Sequence, residues 1–267
     1  MITGRLQGRS RKVFFVKPRY KLTVVIFVFS LIFIHFLAMV ISPHSLMAGQ
    51  IFLIIILAFM MYLWIQEWRD RQVLEKAEVD TIATLILTAE AKDIYTSGHS
   101  KRVALYSTAI AEEIGLTEEE QKIIERAAIL HDLGKIGIND NILRKGSGLS
   151  KEEWDIMKNH PHKAIEILKP LKFLTRERDI IQHHHERCDG NGYPDGLKGT
   201  MIPLGSRIVA VADAFDAMNS VRAYRNALSK QTIVSELRKA SGSQLSEDVV
   251  NIFLKLLEEK PEFWGLS

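Results

Sequence analysis

The hydrophobic pattern divides the chain into two parts. Between residues 22 and 66 there is no Asp, Glu, Lys or Arg. About 20 apolar residues in helical form cross the ~30 Å hydrocarbon core of a bilayer, and this stretch holds two such lengths. They are predicted at about 22–41 and 46–65, separated by Ser42-Pro43-His44-Ser45, where proline cannot continue the helical ladder. A soluble core hairpin of this length would need polar punctuation. A cleavable signal peptide fits poorly, because no small-residue cleavage site ends the first span. Residues 67–92 then lack Gly and Pro and are rich in Ala, Glu, Leu and Ile, so the second span is predicted to run on as a connecting helix. Its apolar positions Val73/Leu74, Ala77, Thr81 and Leu85 form a loose seam. Two readings stand for it: a parallel homodimer helix, or the first helix of the next domain packing on its own core.

Beyond residue 93 the period is helical, with short polar loops and no alternating strand pattern. Helices are expected over 100–114, 117–130, 151–168, 175–185, 203–218 and 247–258. Thr117 with Glu120 and Ser150 with Glu153 have the spacing of capping boxes, and Gly134 is expected to stop the second helix. The fold class is therefore all-α, organised as a tail (1–21), two transmembrane helices (22–65), a connecting helix (66–92) and a soluble domain (93–260).

Charge adds an orientation. Seven Lys/Arg and no acid lie in residues 1–21, so the net charge of +3 belongs to the tail and the remainder is mildly acidic. By the positive-inside rule, with Arg69 and Arg71 after the second span and no basic residue in the loop, both termini are expected in the cytoplasm of a multi-pass inner-membrane protein. Trp64 and Trp68 read as interfacial anchors. His35, inside the first span, reads either as a neutral hydrogen-bonded residue or as a proton or metal sensor. No basic, aromatic-interleaved face is present, which argues against nucleic acid as a partner. A single cysteine, Cys188, excludes an intrachain disulfide.

The chemistry lies in histidine and carboxylate clusters: His99; His131-Asp132 with Lys135; His160; His183-His184-His185-Glu186; Asp189-Gly190-Asn191-Gly192-Tyr193-Pro194; and Asp213. Imidazole plus carboxylate without thiol suits Fe, Mn, Zn or Ni. Adjacent His131 and Asp132 at an unwinding helix end can reach one ion, and a carboxylate can bridge two. Asp213 interrupts an apolar helical run, a costly position unless it is paired or metal-bound. Any one of these residues alone reads more simply as a satisfied core histidine, a polar surface run or a cap. Their accumulation in one helical domain favours a metal site.

The strings KDIYTSGHSKRV, AAILHDLGKIGINDNIL, MKNHPHKAIEIL, HHERCDGNGYPDGLKGTMIP and RIVAVADAFDAMNSVRAYR, in this order, resemble the HD-GYP family of HD-type phosphohydrolases over roughly residues 78–257. The resemblance implies an all-α domain holding two or three metals, commonly iron or manganese, that hydrolyses cyclic di-GMP. It implies the ligands His99, His131, Asp132, His160, His184, His185 and Asp213, with Asp132 bridging and His162 and His183 outside the first contacts. Two metals are favoured, because Tyr95 stands where some relatives carry an extra Glu. Lys135 and Arg222 are expected to neutralise the phosphodiester with Asp132 at the reacting centre, though Lys135 also reads as the structural partner of a nearby carboxylate. The resemblance implies that the loop Asp189, Gly190, Gly192, Tyr193, Pro194 shapes the substrate mouth or meets partner proteins; otherwise it is an ordinary turn. Cys188, Ala164, Ala223 and the string GSQLSE depart from the family pattern. Alternatives are another cyclic dinucleotide as substrate, or an inactive dinucleotide-binding scaffold.

Overall fold

The computed structural model describes residues 28–33, 35–37, 46–92, 98–220 and 226–265. The basic tail, most of the first apolar span with its Pro43 break, Tyr95, Arg222 and Ala223 lie outside these residues. Two compact units emerge, residues 1–75 and 76–267. Among the described residues there is no strand, only an isolated bridge between Ser241 and Leu245.

In the first unit, residues 28–33 and 35–37 are helical, and helix α1 (Leu46–Lys92) begins. Its 47 residues form one uninterrupted helix about 70 Å long, as the absence of Gly and Pro after Gln66 predicts. Among the described residues it is the one helix long and apolar enough to cross a membrane. Its apolar side chains point outward: Ile54, Ile55, Leu57 and Trp64 are exposed, and only 11% of its most apolar stretch is buried. A core helix of a soluble protein would show the reverse. A two-helix hairpin is not seen, because the first span falls largely outside the described residues.

The later part of the connecting helix packs on the core of its own domain, Leu85 of the loose seam included. Val73, Leu74 and Val79 are exposed, whereas Ile82 is buried in the core of the second unit and Leu85, Ile86 and Ala89 pack against it. At the end of α1, Lys92 Nζ donates to Ile136 O (2.9 Å) and pairs with Asp140 (3.1 Å), while Arg144 donates to Lys92 O (3.1 Å).

The second unit continues with α2 (His99–Ile114), α3 (Glu118–Leu130), a 3-10 turn (Leu133–Gly137), α4 (Asp140–Leu143), α5 (Lys151–Lys158), α6 (His160–Leu168), α7 (Thr175–Gln182), α8 (Leu204–Asn219), α9 (Lys230–Ala240) and α10 (Glu247–Glu259). Both capping boxes are present, at Thr117/Glu120 and Ser150/Glu153. Helix α2 packs between α3 and α8, and α6 lies on the 3-10 turn and on α7.

Three expectations need correction. The helix predicted over 151–168 is broken at Asn159, because Pro161 has no N–H to give the Met157 carbonyl. The helix predicted over 175–185 ends at Gln182, which leaves the three histidines in a turn. Gly134 does not cap a helix in the left-handed region. It is needed because a Cβ there would lie 1.8 Å from His160 O and 2.7 Å from Ala164 N. Helix α9 was not anticipated.

Helix α8 has two duties. Phe215 packs edge-on against Tyr106 (4.9 Å), Phe253 (5.0 Å) and Trp264 (5.5 Å) at the centre of the core, while Asp213 and Asp216, one turn apart, face α2. Phe215→Ala is expected to cost the second unit about 3–5 kcal/mol in a urea-unfolding measurement. A loss below about 1 kcal/mol would mean that the aromatic cluster does not anchor α8.

Candidate metal centre

Helix ends supply the ligand geometry. The last four carbonyls of an α-helix have no intrahelical partner, and in this domain histidines take them. His131 Nδ1–H donates to Ala128 O (2.6 Å) at the end of α3, His160 Nδ1–H to Met157 O (2.9 Å) at the end of α5, and His184 Nδ1–H to Ile181 O (2.7 Å) at the end of α7. A carbonyl can only accept, so each ring carries its proton on Nδ1 and leaves a lone pair on Nε2. The Nε2 atoms of His131, His160 and His184 are buried and have no hydrogen-bond partner.

Those lone pairs converge on Asp132. His160 Nε2 lies 3.5 Å from Oδ1, while His131 Nε2 lies 3.4 Å and His99 Nε2 3.9 Å from Oδ2. Ligand atoms of Asp132, His160, His184 and His185 lie within 4.8 Å of one another, and so do those of His99, His131 and Asp132. Asp132 belongs to both groups and offers a different oxygen to each. Asp213 Oδ1 lies 3.3 Å from His99 Nε2 and extends the second group. Lone pairs facing carboxylate oxygens in a buried pocket repel unless a cation lies among them, and each orphaned acceptor costs about 1–3 kcal/mol. The residues present therefore fit divalent cations, consistent with the divalent-metal chemistry of imidazole–carboxylate sets without thiol.

His99 differs from the other histidines. Its Nδ1–H donates to Asp216 Oδ2 (2.7 Å), a buried carboxylate that also accepts from Arg102 Nε (2.6 Å), Arg102 Nη2 (3.1 Å) and Ser220 Oγ (3.3 Å). Reading the sequence missed this Asp216–Arg102–Ser220 support. The available signal was a second carboxylate one helical turn after Asp213. Burial pulls the His99 imidazole down, but Asp213 and Asp216 outweigh it and raise it to about 9. Burial, with Lys135 and then His131, pushes His160 down, and burial with neighbouring imidazoles pushes His184 well down and His185 to about 3. Burial pushes Asp132 up, but Lys135 and His131 hold it well below the usual carboxylate range.

The remaining predicted residues are placed as follows. Lys135 Nζ sits 2.6 Å from Asp132 Oδ2, the carboxylate-partner reading of that side chain. Tyr193 lies against His185 (ring centroids 4.9 Å), and its N–H donates to His185 O (3.3 Å). Burial and the charges of Asp132 and Asp213 push its phenol above the ordinary value. Pro194 follows through a cis peptide. Asp189 pairs with Arg187 (2.7 Å), not with the cluster, and caps Asn191 N. Gly190 has φ 79°, whereas a Cβ on Gly192 would lie 2.5 Å from Glu186 Cα. His183 Nε2 bonds Asp195 (2.9 Å) and His162 is exposed beside Glu166, so neither joins the cluster.

Two outcomes follow from this geometry. Gly134→Ala must push the 3-10 turn from α6 and part Asp132 from His160. Metal content of the folded variant, read by elemental analysis, is expected to fall by at least half, and full occupancy would contradict this. The pH response of the two groups should differ. His99 is raised above its ordinary 6.5, so its proton stabilises the metal-free fold fully below about 6.5, and this is lost as pH rises through about 9. A cation at the His99 group must displace that proton, so its apparent affinity should rise about tenfold per pH unit up to about pH 9. The His160/His184/His185 group, already neutral, should show no such rise. Calorimetric metal titration between pH 6.5 and 9.5 checks both.

The chain is similar to known proteins over the second unit. A family model described as HD domain matches residues 84–249. The chain is 41% identical to the cyclic di-GMP phosphodiesterase response regulator RpfG of Xanthomonas campestris pv. campestris over 68% of this chain and 48% of that protein. It is 43% identical to a cyclic di-GMP phosphodiesterase of Thermotoga maritima over 67% of this chain and 50% of that one. A 3'3'-cGAMP-specific phosphodiesterase of Vibrio cholerae is 36% identical over 70% of this chain and 36% of its own length. The chain thus spans about half the length, or less, of these curated relatives. In fold it is similar to the crystal structure of a cyclic GMP-AMP specific phosphodiesterase of V. cholerae, with TM-score 0.52 and 23% identity over 70% of this chain and 50% of that one.

Proposed function

This chain belongs to the HD domain family, and we propose that it is a membrane-anchored, metal-dependent phosphodiesterase that opens cyclic di-GMP to the linear dinucleotide or to GMP. The observation that carries the reading is the pair of ligand groups sharing Asp132, with three buried Nε2 lone pairs left for cations. Two relatives named for cyclic di-GMP hydrolysis are 41% and 43% identical, and three named for 3'3'-cGAMP are 33–39% identical, overlapping another named for cyclic di-GMP, so the mixed dinucleotide is kept as the alternative substrate.

The ligands proposed are His99, His131, Asp132 and Asp213 for one ion and Asp132, His160, His184 and His185 for the other, with Fe or Mn as the metals. Cations held there supply Lewis acidity toward a phosphoryl oxygen and make a water acidic enough to deprotonate near neutral pH. The chain's own residues do the rest. Asp132 holds the two groups in register. Lys135, with its side chain a quarter exposed at the edge of Asp132, presents an ammonium to the phosphodiester, whose charge spreads in the transition state. Arg222 is assigned a second cationic contact. Tyr193 and its loop wall the mouth beside His185.

The anchor is proposed as two spans, with the tail, the connecting helix and the catalytic unit on the cytoplasmic side of the inner membrane. The outward-facing apolar side chains of α1 and the basic residues flanking the apolar stretch support this. The exposed Val73 and Leu74, at the start of the loose seam, are assigned to a parallel contact with a second copy.

Purified full-length protein loaded with Mn or Fe is expected to cleave cyclic di-GMP, with 3'3'-cGAMP as the comparison substrate, by chromatography of products. Asp132→Asn, still folded by circular dichroism, should lose turnover to background. Binding of either dinucleotide without cleavage would replace the enzyme by a receptor, and an active Asp132→Asn would remove the assigned centre.

A further inference from the structure

The loop that follows the ligand turn is tied down by a residue that neither binds in the cluster nor faces solvent. Glu186 is buried, at 4% exposure. Its Oε1 accepts the backbone N–H groups of Asp195 (2.7 Å) and Gly196 (3.0 Å), and its Oε2 accepts that of Leu197 (3.1 Å). Among the described residues no ion pair is recorded for this carboxylate. A buried carboxylate is costly unless its lone pairs are met, and here three main-chain donors meet them with charge-assisted bonds. On the near side of the loop, Gly192 lets the chain run directly against the Glu186 backbone, where a Cβ would lie 2.5 Å from Glu186 Cα and 2.4 Å from Arg187 N. The loop is therefore folded over residue 186 from both directions, with Tyr193 between the two contacts.

The placement matters because of what lies beside residue 186. His184 and His185 immediately precede it, and Tyr193 stacks on His185 with its N–H on His185 O. His183 adds a second fastening through Asp195. One turn of chain thus presents imidazoles to the cluster on one side and a clamp to the loop on the other.

We propose that Glu186 is a positioning residue for substrate, which fixes the 189–197 loop so that Tyr193 forms a rigid wall of the phosphodiester site. The proposal rests on the phosphodiesterase reading above. Glu186 contacts no reacting atom and acts through Tyr193. It sets where the dinucleotide lies relative to the ligand cluster, and leaves the ligands as they are.

The test uses the full-length chain with Mn. Glu186→Gln keeps the size of the side chain but turns an NH2 toward at least one backbone donor. Glu186→Asp keeps the charge but shortens the reach, and serves if the Gln variant does not fold. Either change is expected to raise KM for the cleaved dinucleotide about tenfold or more, as for loss of a charged hydrogen bond, with kcat falling less. Amide hydrogen exchange at Asp195, Gly196 and Leu197 should quicken, while metal stoichiometry and affinity stay within about twofold of wild type. Faster exchange with unchanged KM overturns the proposal, because the loop then takes no part in the site. A parallel loss of metal affinity also overturns it, since Glu186 would then act on His184 and His185. A wild-type protein that cleaves neither dinucleotide overturns the phosphodiesterase reading itself, an outcome distinct from an active wild type with indifferent variants.

Discussion

The centre depends on one local interaction repeated three times, an imidazole Nδ1–H closing onto a carbonyl that a helix end leaves unpaired. His131, His160 and His184 each bond the carbonyl three residues back, at the ends of α3, α5 and α7. The bond does three things at once. It satisfies an orphan acceptor, it selects the tautomer, and it aims Nε2 away from the helix into the site. It also brings three helix C-termini, the negative ends of their dipoles, to one place, which favours cations there. Without those helix ends the same histidines would be free to rotate and to protonate on either nitrogen.

Asp132 works against this background because its two oxygens are divided between two imidazole sets. Its partners differ in protonation. The His160/His184/His185 side is neutral at physiological pH, while His99 keeps a proton between Asp213 and Asp216. Asp213 and Asp216 together account for the difference: they lie against Nε2 and Nδ1 and raise the basicity of His99, while His99 and Arg102 keep Asp216 itself ionised. The proton on His99 Nε2 thus stands where the lone pair would serve a cation, and the two halves of the centre respond differently to pH.

Much of this was legible in the residues. The all-α class, both capping boxes and the clustered imidazoles and carboxylates follow from period and spacing, and the structure brings His99, His131, Asp132, His160, His184, His185 and Asp213 together. What was not legible is the work of the backbone. Pro161 signals a helix break, but only the three-dimensional path shows that the break frees the Met157 carbonyl for His160. Gly134 reads as a helix stop, whereas its real constraint, the approach of His160 O, is set by a segment 26 residues away. Asp216 and Glu186 act through partners distant in sequence, Arg102 in one case and the amides of 195–197 in the other. Arg222 and most of the first span lie outside the described residues.

The turn Leu133–Gly137 shows how these constraints meet. It directly follows Asp132 and carries Lys135. On one side Gly134 seats it against the start of α6, with no room for a single methyl group. From the same helix Lys163 Nζ donates to the Gly137 carbonyl, and on the other side the Ile136 carbonyl is held by Lys92 at the end of α1. A turn held at these points cannot shift without moving the shared carboxylate. That suits a group that must hold two ligand sets in register. It also means that a displacement of the Lys92 end of α1 would bear on the backbone of this turn through the Ile136 carbonyl.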